Sequence, residues 1–273
     1  MTQPAGSSPR LIDHPVTVER VHDLTAWYRR IDFVTVGLLS RLSLAPAAYL
    51  MIALPGAAGG RPVQRAYTIV SPRPAGAGGA GQAGGGTDLA GVSEAGQADG
   101  GPDLAEGGGP DLAAGDGLDR FSLEFVLHQP AGPASAWASQ ARLGDVIRVS
   151  DPPYHFALPQ PLGRAWLLAD SSAAPALRSI LDHLPQAVEA RAVLVDPHPD
   201  RQLIWDQTRP GPTVAWLSQL TAADLAGWAI DPVRDWLWAA GQRDLVKTVR
   251  GLARGPWGLP RDRQHLQTYW IAA

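Results

Sequence analysis

The chain has 273 residues, of which 45% are hydrophobic, and a formal net charge of −3 at pH 7. This length accommodates two modest domains or one large one. The slightly acidic balance gives no electrostatic reason to expect a nucleic acid or an acidic membrane as partner. The sequence contains no cysteine, which excludes disulfides, thiolate-ligated iron–sulfur clusters and a cysteine nucleophile. Any redox chemistry therefore has to come from a bound cofactor.

The start of the chain and its hydropathy bear on where the protein works. Residues 1–10 are polar and rich in Pro, Gly and Ser, without the basic and apolar regions of a signal peptide. No window approaches the roughly 18 consecutive apolar residues that a membrane-spanning helix needs. We therefore expect a cytoplasmic protein without membrane insertion, and we expect a monomer.

The first half of the chain alternates short strand-like segments with turn signals. Strands are predicted over 16–21, 28–36, 48–54, 64–70, 121–127 and 145–149, and a short helix over 133–141. Several short strands separated by turns predict a small antiparallel β-barrel. We place this domain at 11–158.

A Gly- and Ala-rich insertion, about 74–118, interrupts the barrel half and contains near-copies of one tetrapeptide at 87–90, 102–105 and 110–113. Its apolar bulk is too small to offset the entropy of ordering it, so we predict a flexible loop between two barrel strands. Replication slippage in a tolerant surface loop accounts for the copies, and a docking element for a partner is the alternative.

The second half has a different rhythm, in which apolar strands alternate with helices. Strands are predicted over 165–169, 190–195, 213–217 and 235–240, and helices over 174–184 and 243–253. This alternation predicts an open parallel α/β sheet, whose ligand site lies beyond the carboxyl ends of its strands. We place this second domain at 162–273, after the linker 159–161.

One strand of the barrel half carries the residues that a flat, phosphate-bearing cofactor requires. Arg65, Tyr67 and Thr68 lie within four residues of one another. An arginine can bind a pyrophosphate through two parallel hydrogen bonds, a tyrosine ring can lie against a planar heterocycle, and a threonine can hydrogen-bond a ring nitrogen. A tyrosine packed on a barrel neighbour and a solvated arginine are the structural alternatives.

Two segments resemble a known family. The tetrapeptide 65–68, Arg-Ala-Tyr-Thr, resembles the Arg-x-Tyr-Ser/Thr flavin signature of the ferredoxin-reductase-like superfamily. The segment 123–128 with the segment 132–138 is similar to the "DFVLH…GPAS-x-WA" block of siderophore-interacting proteins, the FAD-dependent ferric-siderophore reductases. Both blocks occur in family order, and the resemblance extends from about 14 to 270. It implies an FAD-binding barrel, a nicotinamide-type domain, and FAD and NAD(P)H as cofactors.

The resemblance implies roles for residues of the barrel half. Tyr67 would stack on the isoalloxazine ring and Thr68 would lie near its redox-active N5, which makes this pair the candidate catalytic residues. Further flavin contacts are implied on both sides of the turn that precedes the short helix, where free backbone N–H groups can hold a phosphate. An ordinary local hydrogen bond is the alternative for Ser135. The implied FAD-binding residues are Arg65, Ala66, Tyr67, Thr68, Val126, His128, Ala134 and Ser135.

The second half matches the family less closely. The stretch 169–176 corresponds to the family's Gly-Asp-Glu-Thr-Ala-Leu-Pro-Ala, with Ala169 in place of a glycine and Ser171 in place of a glutamate. Gln242 stands where the family has a glutamate. Trp270 would cover the nicotinamide face of the flavin or, alternatively, close the edge of the sheet. The residues that the resemblance assigns to cofactor binding here are Asp170, Ser172, Gly241 and Trp270.

Other charged residues are less distinctive. Arg201 could pair with the 2′-phosphate of NADP, whereas Asp196 would favour a plain ribose, so the donor stays open. Ser122 and Glu124 receive no role. The seven histidines show no metal-binding spacing. Basic residues that could face an anionic ferric siderophore are Arg29, Arg30, Arg148 and Lys247.

Two functions from different classes are compatible with the sequence. The first is an FAD-dependent oxidoreductase that passes electrons from NAD(P)H to a ferric siderophore, the small-molecule substrate, and releases Fe(II). The second is a flavin- or siderophore-binding protein that has lost NAD(P)H-driven turnover, which the altered positions 169, 171 and 242 would explain. A reductase that uses another donor, such as a ferredoxin, lies between them.

Overall fold

The computed structural model describes residues 13–54, 61–76, 117–152, 156–205 and 214–271. The predicted disordered start and most of the predicted insertion, 77–116 with its three near-copies, lie outside the described residues. Within the described ranges the chain folds into two β-sheets with different strand directions.

The first sheet is antiparallel throughout and has the strand order β4-β3-β7-β1-β2-β6-β5. The strands at its two ends, β4 and β5, follow each other in sequence and are separated only by Ile69. This connection curls the sheet round on itself as a barrel. A helix, α1 (Pro133–Gln140), connects β6 to β7. The strands are β1 (His14–Thr25), β2 (Tyr28–Thr35), β3 (Tyr49–Leu54), β4 (Val63–Thr68), β5 (Val70–Arg73), β6 (Asp119–Val126) and β7 (Val146–Ser150).

Alternating side chains build the barrel core. In β2, Ile31 and Phe33 are fully buried while Asp32 between them is only partly buried, as expected for a strand with one face on a core. Phe33 stacks on Phe121 of β6, with ring centroids 5.5 Å apart. Aromatic residues of this size contribute strongly to the apolar area that stabilises a small barrel.

The predicted signature strand over 64–70 is broken in the structure. It ends at Thr68, and β5 begins at Val70 with new pairing to β6. Ser71 has a φ of 47°, in the left-handed region that non-glycine residues rarely adopt. Ser71 lies within β5, where the pairing with β6 shifts register between Val70 and Arg73, so its conformation marks a bulge in that strand. Periodicity alone did not reveal the break at Ile69.

A buried aspartate holds the base of the β5–β6 hairpin. Asp119, the first residue of β6, accepts a hydrogen bond from the backbone N–H of Ala75 at 2.7 Å through Oδ1. Its Oδ2 accepts another from the N–H of Leu39 at 2.8 Å. One carboxylate thus holds the residues that follow β5 next to the first residue of β6.

The second sheet is parallel, with the strand order β10-β9-β8-β11-β12. Strand order reverses between β8 and β11, and open α/β sheets bind their ligands beyond the carboxyl ends of the strands at such a point. The predicted fold class, an antiparallel barrel followed by an open parallel α/β domain, is confirmed. The elements are β8 (Arg164–Asp170), α2 (Ala174–His183), β9 (Glu189–Val195), β10 (Val214–Leu217), β11 (Trp236–Gln242), α3 (Arg243–Arg254) and β12 (Gln264–Trp270).

Residues of the barrel also pack into the core of the α/β half. Trp27, Tyr28 and Ala47 are buried among side chains of β8, α2 and β11. The backbone N–H of Ala47 donates to the hydroxyl of Ser179 on α2 at 3.0 Å. The described helices include none long and apolar enough to cross a membrane.

Candidate functional site

The exposed part of β4 is one half of the site. Gln64, Arg65 and Ala66 are exposed one after another. A strand with one face on a core alternates between buried and exposed residues, so this run leaves both faces of β4 uncovered at the end of the sheet order. The contact that the described residues give the Arg65 guanidinium is with the backbone carbonyl of Gln64, at 2.8 Å. Its remaining donors face outward and can bind an anion.

Tyr67 lies where this open segment passes into the core. Its ring is partly buried and packs on Phe125 of β6, with centroids 4.4 Å apart and the planes tilted by 34°. Burial raises the pKa of the Tyr67 hydroxyl above its usual value, and the positive charge of Arg65 lowers it only in part. The phenol is therefore neutral at physiological pH. The next residue, Thr68, is buried and pairs with Tyr49 of β3.

The turn between β6 and α1 holds the next predicted residues. The N–H of His128 donates to Ser135 Oγ at 3.0 Å, and Ser135 Oγ approaches the His128 carbonyl at 3.4 Å. His128 Nδ1 lies 2.8 Å from the carbonyl of Pro130. The Ser135 hydroxyl thus makes the local hydrogen bond that was the alternative to phosphate contact. The backbone N–H groups of Ala134 and Ser135, in the first turn of α1, have no partner within the helix.

The four predicted residues of the α/β half lie together around one carboxylate. Asp170, the last residue of β8, accepts through Oδ1 from the N–H of Ser172 at 2.9 Å and from its hydroxyl at 2.5 Å. Its Oδ2 accepts from the N–H of Gln242 at 2.6 Å and from Trp270 Nε1 at 2.8 Å. A single side chain therefore ties together the carboxyl ends of β8, β11 and β12.

Gly241 is required by this arrangement. Its φ is +135°, which disfavours a side chain, and a Cβ added there would lie 2.6 Å from Asp170 Oδ1. The following residue, Gln242, accepts from the N–H groups of Asp244 and Leu245 and so caps α3. The amide that replaces the family's glutamate thus has a structural role at the start of that helix.

Ionisation of the Asp170 carboxyl is disfavoured by its burial. Burial raises the pKa of the Asp170 carboxyl above its usual value, although hydrogen bonds from Ser172, Trp270 and Gln242 lower it in part. Trp270 itself remains 47% exposed. Its indole N–H is fixed by Asp170, which suits a residue that closes the edge of the sheet. Part of its ring faces the solvent, which leaves it accessible to a bound flavin or nicotinamide.

Glu124, which is not distinctive in the sequence, is buried and paired in the structure. Glu124 on β6 has a fully buried side chain. Its Oε1 accepts from Arg30 Nη2 at 2.6 Å and from Arg178 Nη1 at 3.1 Å, and its Oε2 accepts from the hydroxyl of Tyr28 at 2.8 Å. The sequence feature that could have indicated a buried charge is an acidic residue between the apolar residues Leu123 and Phe125. Its partner on α2 lies 54 residues away and could not be identified from spacing.

Tyr28 connects the two halves of the site. It pairs with Val126 in the β2–β6 register, next to the strand position of Phe125 that supports Tyr67. Its hydroxyl also donates to the carbonyl of Ser171, which follows Asp170, at 3.2 Å. The open strand β4 and the carboxyl edge of the parallel sheet are therefore joined by a short series of direct contacts.

Most of the basic residues that could face a siderophore bond to groups of the protein itself. Arg29 bonds to Asp23 and to the carbonyl of Ala138, and Arg30 bonds to Glu124. Arg148 pairs with Asp13 at 3.2 Å, and Lys247 is exposed on α3.

The two residues that could select between NADP and NAD also form hydrogen bonds within the protein. Asp196 is buried and accepts from both the backbone and the ring of His198. Arg201 Nη1 donates to the His198 carbonyl. Among the described residues no cluster of His, Asp or Glu could hold a metal ion.

The residues present fit a flavin dinucleotide. Arg65 offers outward donors, the Tyr67 ring is partly open, and the first turn of α1 supplies backbone N–H groups. At the parallel sheet the fit to a nicotinamide nucleotide is less direct, because the polar groups of Asp170, Ser172 and Trp270 already bond to one another.

Comparisons with known proteins agree with this architecture. The family model described as siderophore-interacting protein matches residues 163–273, and the model described as siderophore-interacting FAD-binding domain matches residues 113–156. The FAD-binding model covers β6, α1 and β7 but not β4, so Arg65 and Tyr67 lie outside both matches. The match supports FAD as the cofactor of this chain.

The curated relatives differ in length, and the mycobacterial one is much longer than this chain. The chain is 30% identical over 269 residues to the mycobactin import ATP-binding/permease protein IrtA of Mycobacterium tuberculosis, which covers 95% of this chain and 26% of that protein. It is 23% identical over 165 residues to the ferric vibriobactin reductase ViuB of Vibrio cholerae, covering 56% of this chain and 59% of that one. The chain thus spans about a quarter of the mycobacterial relative.

A solved structure shows the same fold over nearly the whole chain. The siderophore-interacting protein SipS from Aeromonas hydrophila superposes with a TM-score of 0.68 and 20% identity, covering 96% of this chain and 93% of that one. The two family models, which together match more than half of the chain, show that it belongs to the siderophore-interacting protein family.

Proposed function

We propose that this protein is an FAD-dependent oxidoreductase that transfers electrons from NAD(P)H through flavin to a ferric siderophore and releases Fe(II). The observation that carries the proposal is the series of contacts that leads from Tyr67 on β4, through β6, to Tyr28 and the carboxyl edge of the parallel sheet. An enzyme that passes electrons between two bound nucleotides requires these two edges to adjoin. The name of the relative ViuB, a ferric vibriobactin reductase, supports the same reaction class.

On this proposal the barrel, 11–158, holds the flavin. Arg65 pairs with the pyrophosphate, the Tyr67 ring lies against the isoalloxazine, and Ala66 and Thr68 contact it through the β4 backbone and hydroxyl. Val126, His128, Ala134 and Ser135 supply the turn and the helix start, whose N–H groups and positive dipole end favour a phosphate. These contacts orient the cofactor.

The second domain, 162–273, supplies the donor side of the cleft. Asp170, Ser172, Gly241 and Trp270 would receive NAD(P)H at the switch point of the parallel sheet. A bound FAD would supply hydride acceptance and one-electron transfer, the chemistry that reduction of two ferric ions by one nicotinamide requires. Fe(II) leaves because hard oxygen ligands hold it less tightly than Fe(III).

The second candidate is a flavin- or siderophore-binding protein without nicotinamide-driven turnover. One specific observation favours it: the polar groups of the donor side are bonded to one another around Asp170. A nucleotide has to displace some of these hydrogen bonds or bind beside them, and displacement costs about 1 kcal/mol for each bond lost without replacement.

Anaerobic absorbance spectroscopy of the FAD-loaded protein separates the candidates. NADPH and then NADH are added, followed by a ferric siderophore. The proposal expects one nucleotide to bleach the flavin band and the ferric chelate to restore it. If neither nucleotide bleaches the flavin while dithionite does, the binding protein or another donor is favoured. Arg65→Ala protein, which should load less FAD, shows whether the response depends on the proposed flavin site.

A further inference from the structure

A buried charge cluster lies between the two halves of the molecule. The carboxylate of Glu124 accepts hydrogen bonds from two guanidinium groups and one phenol. Arg30 and Tyr28 belong to the barrel, whereas Arg178 belongs to α2 of the α/β half. The cluster therefore crosses the boundary between the two sheets.

Arg178 is held by the α/β half on its other side. Its Nη2 donates to the carbonyl of Ile204 at 2.9 Å, and its guanidinium lies 5.3 Å from the ring centre of Trp205. Only 12% of its side chain is exposed. The position of this cation is fixed within its own domain, so its bond to Glu124 depends on how that domain sits against the barrel.

The strand that carries Glu124 also supports the flavin half of the site. Phe125, the next residue of β6, faces the barrel core and packs on Tyr67. Alternate residues of a strand point to opposite faces, so Glu124 and Val126 face the other way, toward the α/β half. One strand thus has the support of Tyr67 on one face and the charge cluster on the other.

A buried ion pair between two domains strongly disfavours changes in their relative orientation. A buried carboxylate and a buried guanidinium that lose each other are left without compensation, whereas a surface ion pair loses little. A small shift of one domain against the other would separate Glu124 from Arg178 and Tyr28 from Ser171. The cluster therefore resists such shifts.

We propose that Glu124 is a positioning residue that fixes the orientation of the α/β domain against the barrel, and thereby the distance between the donor nucleotide and the flavin. The proposal rests on the proposed function for its kinetic consequence. Its structural content, the coupling of the two domains through Glu124 and Arg178, does not need a donor.

The kinetic test compares three variants of the full chain loaded with FAD. In Glu124→Gln and Arg178→Met, we expect FAD affinity to stay within about threefold, while flavin reduction at saturating donor slows about tenfold or more, because small misplacements of reacting groups are costly. Arg120→Met is the matched control. Arg120 lies on the same strand as Glu124 but pairs with Glu19 within the barrel, at 3.0 Å, so its loss leaves the boundary intact, and we expect reduction to slow by less than about threefold.

A cross-link provides the rescue. The chain has no cysteine, so Ala47→Cys and Ser179→Cys can be introduced without background thiols. The wild-type residues approach to 3.0 Å across the same boundary, between the Ala47 N–H and the Ser179 hydroxyl. In the Glu124→Gln background, oxidation to the disulfide should restore most of the reduction rate. The same variant with free thiols is its control.

Calorimetry tests the coupling without any donor. Wild-type protein should unfold in one transition, and Glu124→Gln or Arg178→Met should unfold in two, which the disulfide merges again. If no nucleotide reduces wild-type flavin, the proposed function fails, and calorimetry alone decides on the coupling. The inference is overturned if the wild type already shows two transitions, if both variants keep one, or if reduction slows equally in Arg120→Met.

Discussion

The two halves of the candidate site differ in how their polar groups are occupied. On β4, Arg65 extends from an exposed run and contacts only the neighbouring carbonyl among the described residues. At the carboxyl edge of the parallel sheet, Asp170 is buried and accepts four hydrogen bonds from Ser172, Gln242 and Trp270. The β4 half therefore presents guanidinium donors to the solvent, whereas the polar groups of the Asp170 half already bond to one another.

This difference shows that matching a motif and being ready for a ligand are separate properties. An exposed cation costs little to maintain and gains a partner when an anion binds. A buried carboxylate is stable only with its donors in place, so its residues first have to hold the fold. Binding at the second half has to work around this structure, and the variants below test how far the distinction holds.

The largest effect is expected from Gly241→Ala, at the closed half. The new Cβ would overlap the Asp170 carboxylate at a φ of +135°. We expect unfolding to become easier by about 4 kcal/mol, as for strain combined with a lost buried network. Urea denaturation followed by circular dichroism measures it.

Gly251→Ala is the matched control for that variant. Gly251 lies within α3, and a Cβ there would meet nothing within 4 Å. This substitution should stabilise the protein by about 0.5–1 kcal/mol, since alanine favours helix. Equal effects of the two variants would show that Asp170 tolerates rearrangement, and the contrast between the halves would weaken.

The boundary between the halves is tested by pH. Burial alone would raise the pKa of Glu124, but Arg178, Arg30 and the hydrogen bond from Tyr28 outweigh it and hold the pKa below its usual value. A carboxyl lowered in this way stabilises the fold above about pH 4.3, and this contribution is lost as pH falls through the folded-state pKa.

Glu124→Gln should therefore lower the free energy of unfolding by about 3 kcal/mol at pH 7, where it leaves Arg178 buried without its counter-charge. The difference from wild type should shrink as the pH falls below the folded-state pKa, where wild-type Glu124 is also neutral. Urea unfolding of both proteins at a series of pH values measures this. A difference that stays constant down to pH 2 would mean that the carboxylate charge is not what Arg178 requires.

The open half is tested by Arg65→Ala. Loss of a charge-assisted contact to the pyrophosphate should weaken FAD binding by about 10- to 100-fold, with little change in stability because the side chain is exposed. Quenching of flavin fluorescence on titration gives the affinity. Arg254→Ala, exposed at the end of α3, removes the same charge elsewhere and should bind FAD like the wild type. Similar affinities for both variants would contradict the assignment of Arg65.

The smallest effect is expected from Trp270→Phe. Phenylalanine keeps an aromatic ring but loses the indole N–H that donates to Asp170, while the donors from Ser172 and Gln242 remain. We expect a loss of about 1 kcal/mol in the free energy of unfolding. Urea denaturation under the conditions used for Gly241→Ala measures it. Unchanged stability would indicate that the fourth hydrogen bond adds nothing, and that Trp270 is free to serve a ligand.

The fold followed from the sequence where apolar periodicity was strong. The segments 165–169 and 235–240 are almost continuously apolar and form the central strands β8 and β11. β12 was not predicted, because Gln264, His265 and Gln267 give it the mixed composition of an edge strand. β5 was missed because the break at Ile69 falls inside the strand-like run 66–70, which periodicity alone does not divide.

The candidate site followed only in part. The resemblance identified residues that the fold brings together, such as Asp170 and Trp270, but not the hydrogen bonds between them. The role of Glu124 depends on Arg178, and a pairing between domains has no local signature in a single sequence. Motifs predicted the position of the site, and its electrostatics emerged only with the tertiary structure.

Asp119 has a practical consequence for the length of this chain. Because its carboxylate holds the N–H of Ala75 at the base of the β5–β6 hairpin, the ends of the stretch between Ala75 and Asp119 are fastened together before any intervening residue is counted. We expect residues added or removed between these two anchors to leave the paths of β5 and β6 unchanged, since closure entropy rises slowly with the number of residues between fixed ends. This base is therefore a permissive insertion point, where a reporter domain or affinity module can be introduced without interrupting the strands that carry Tyr67 and Glu124.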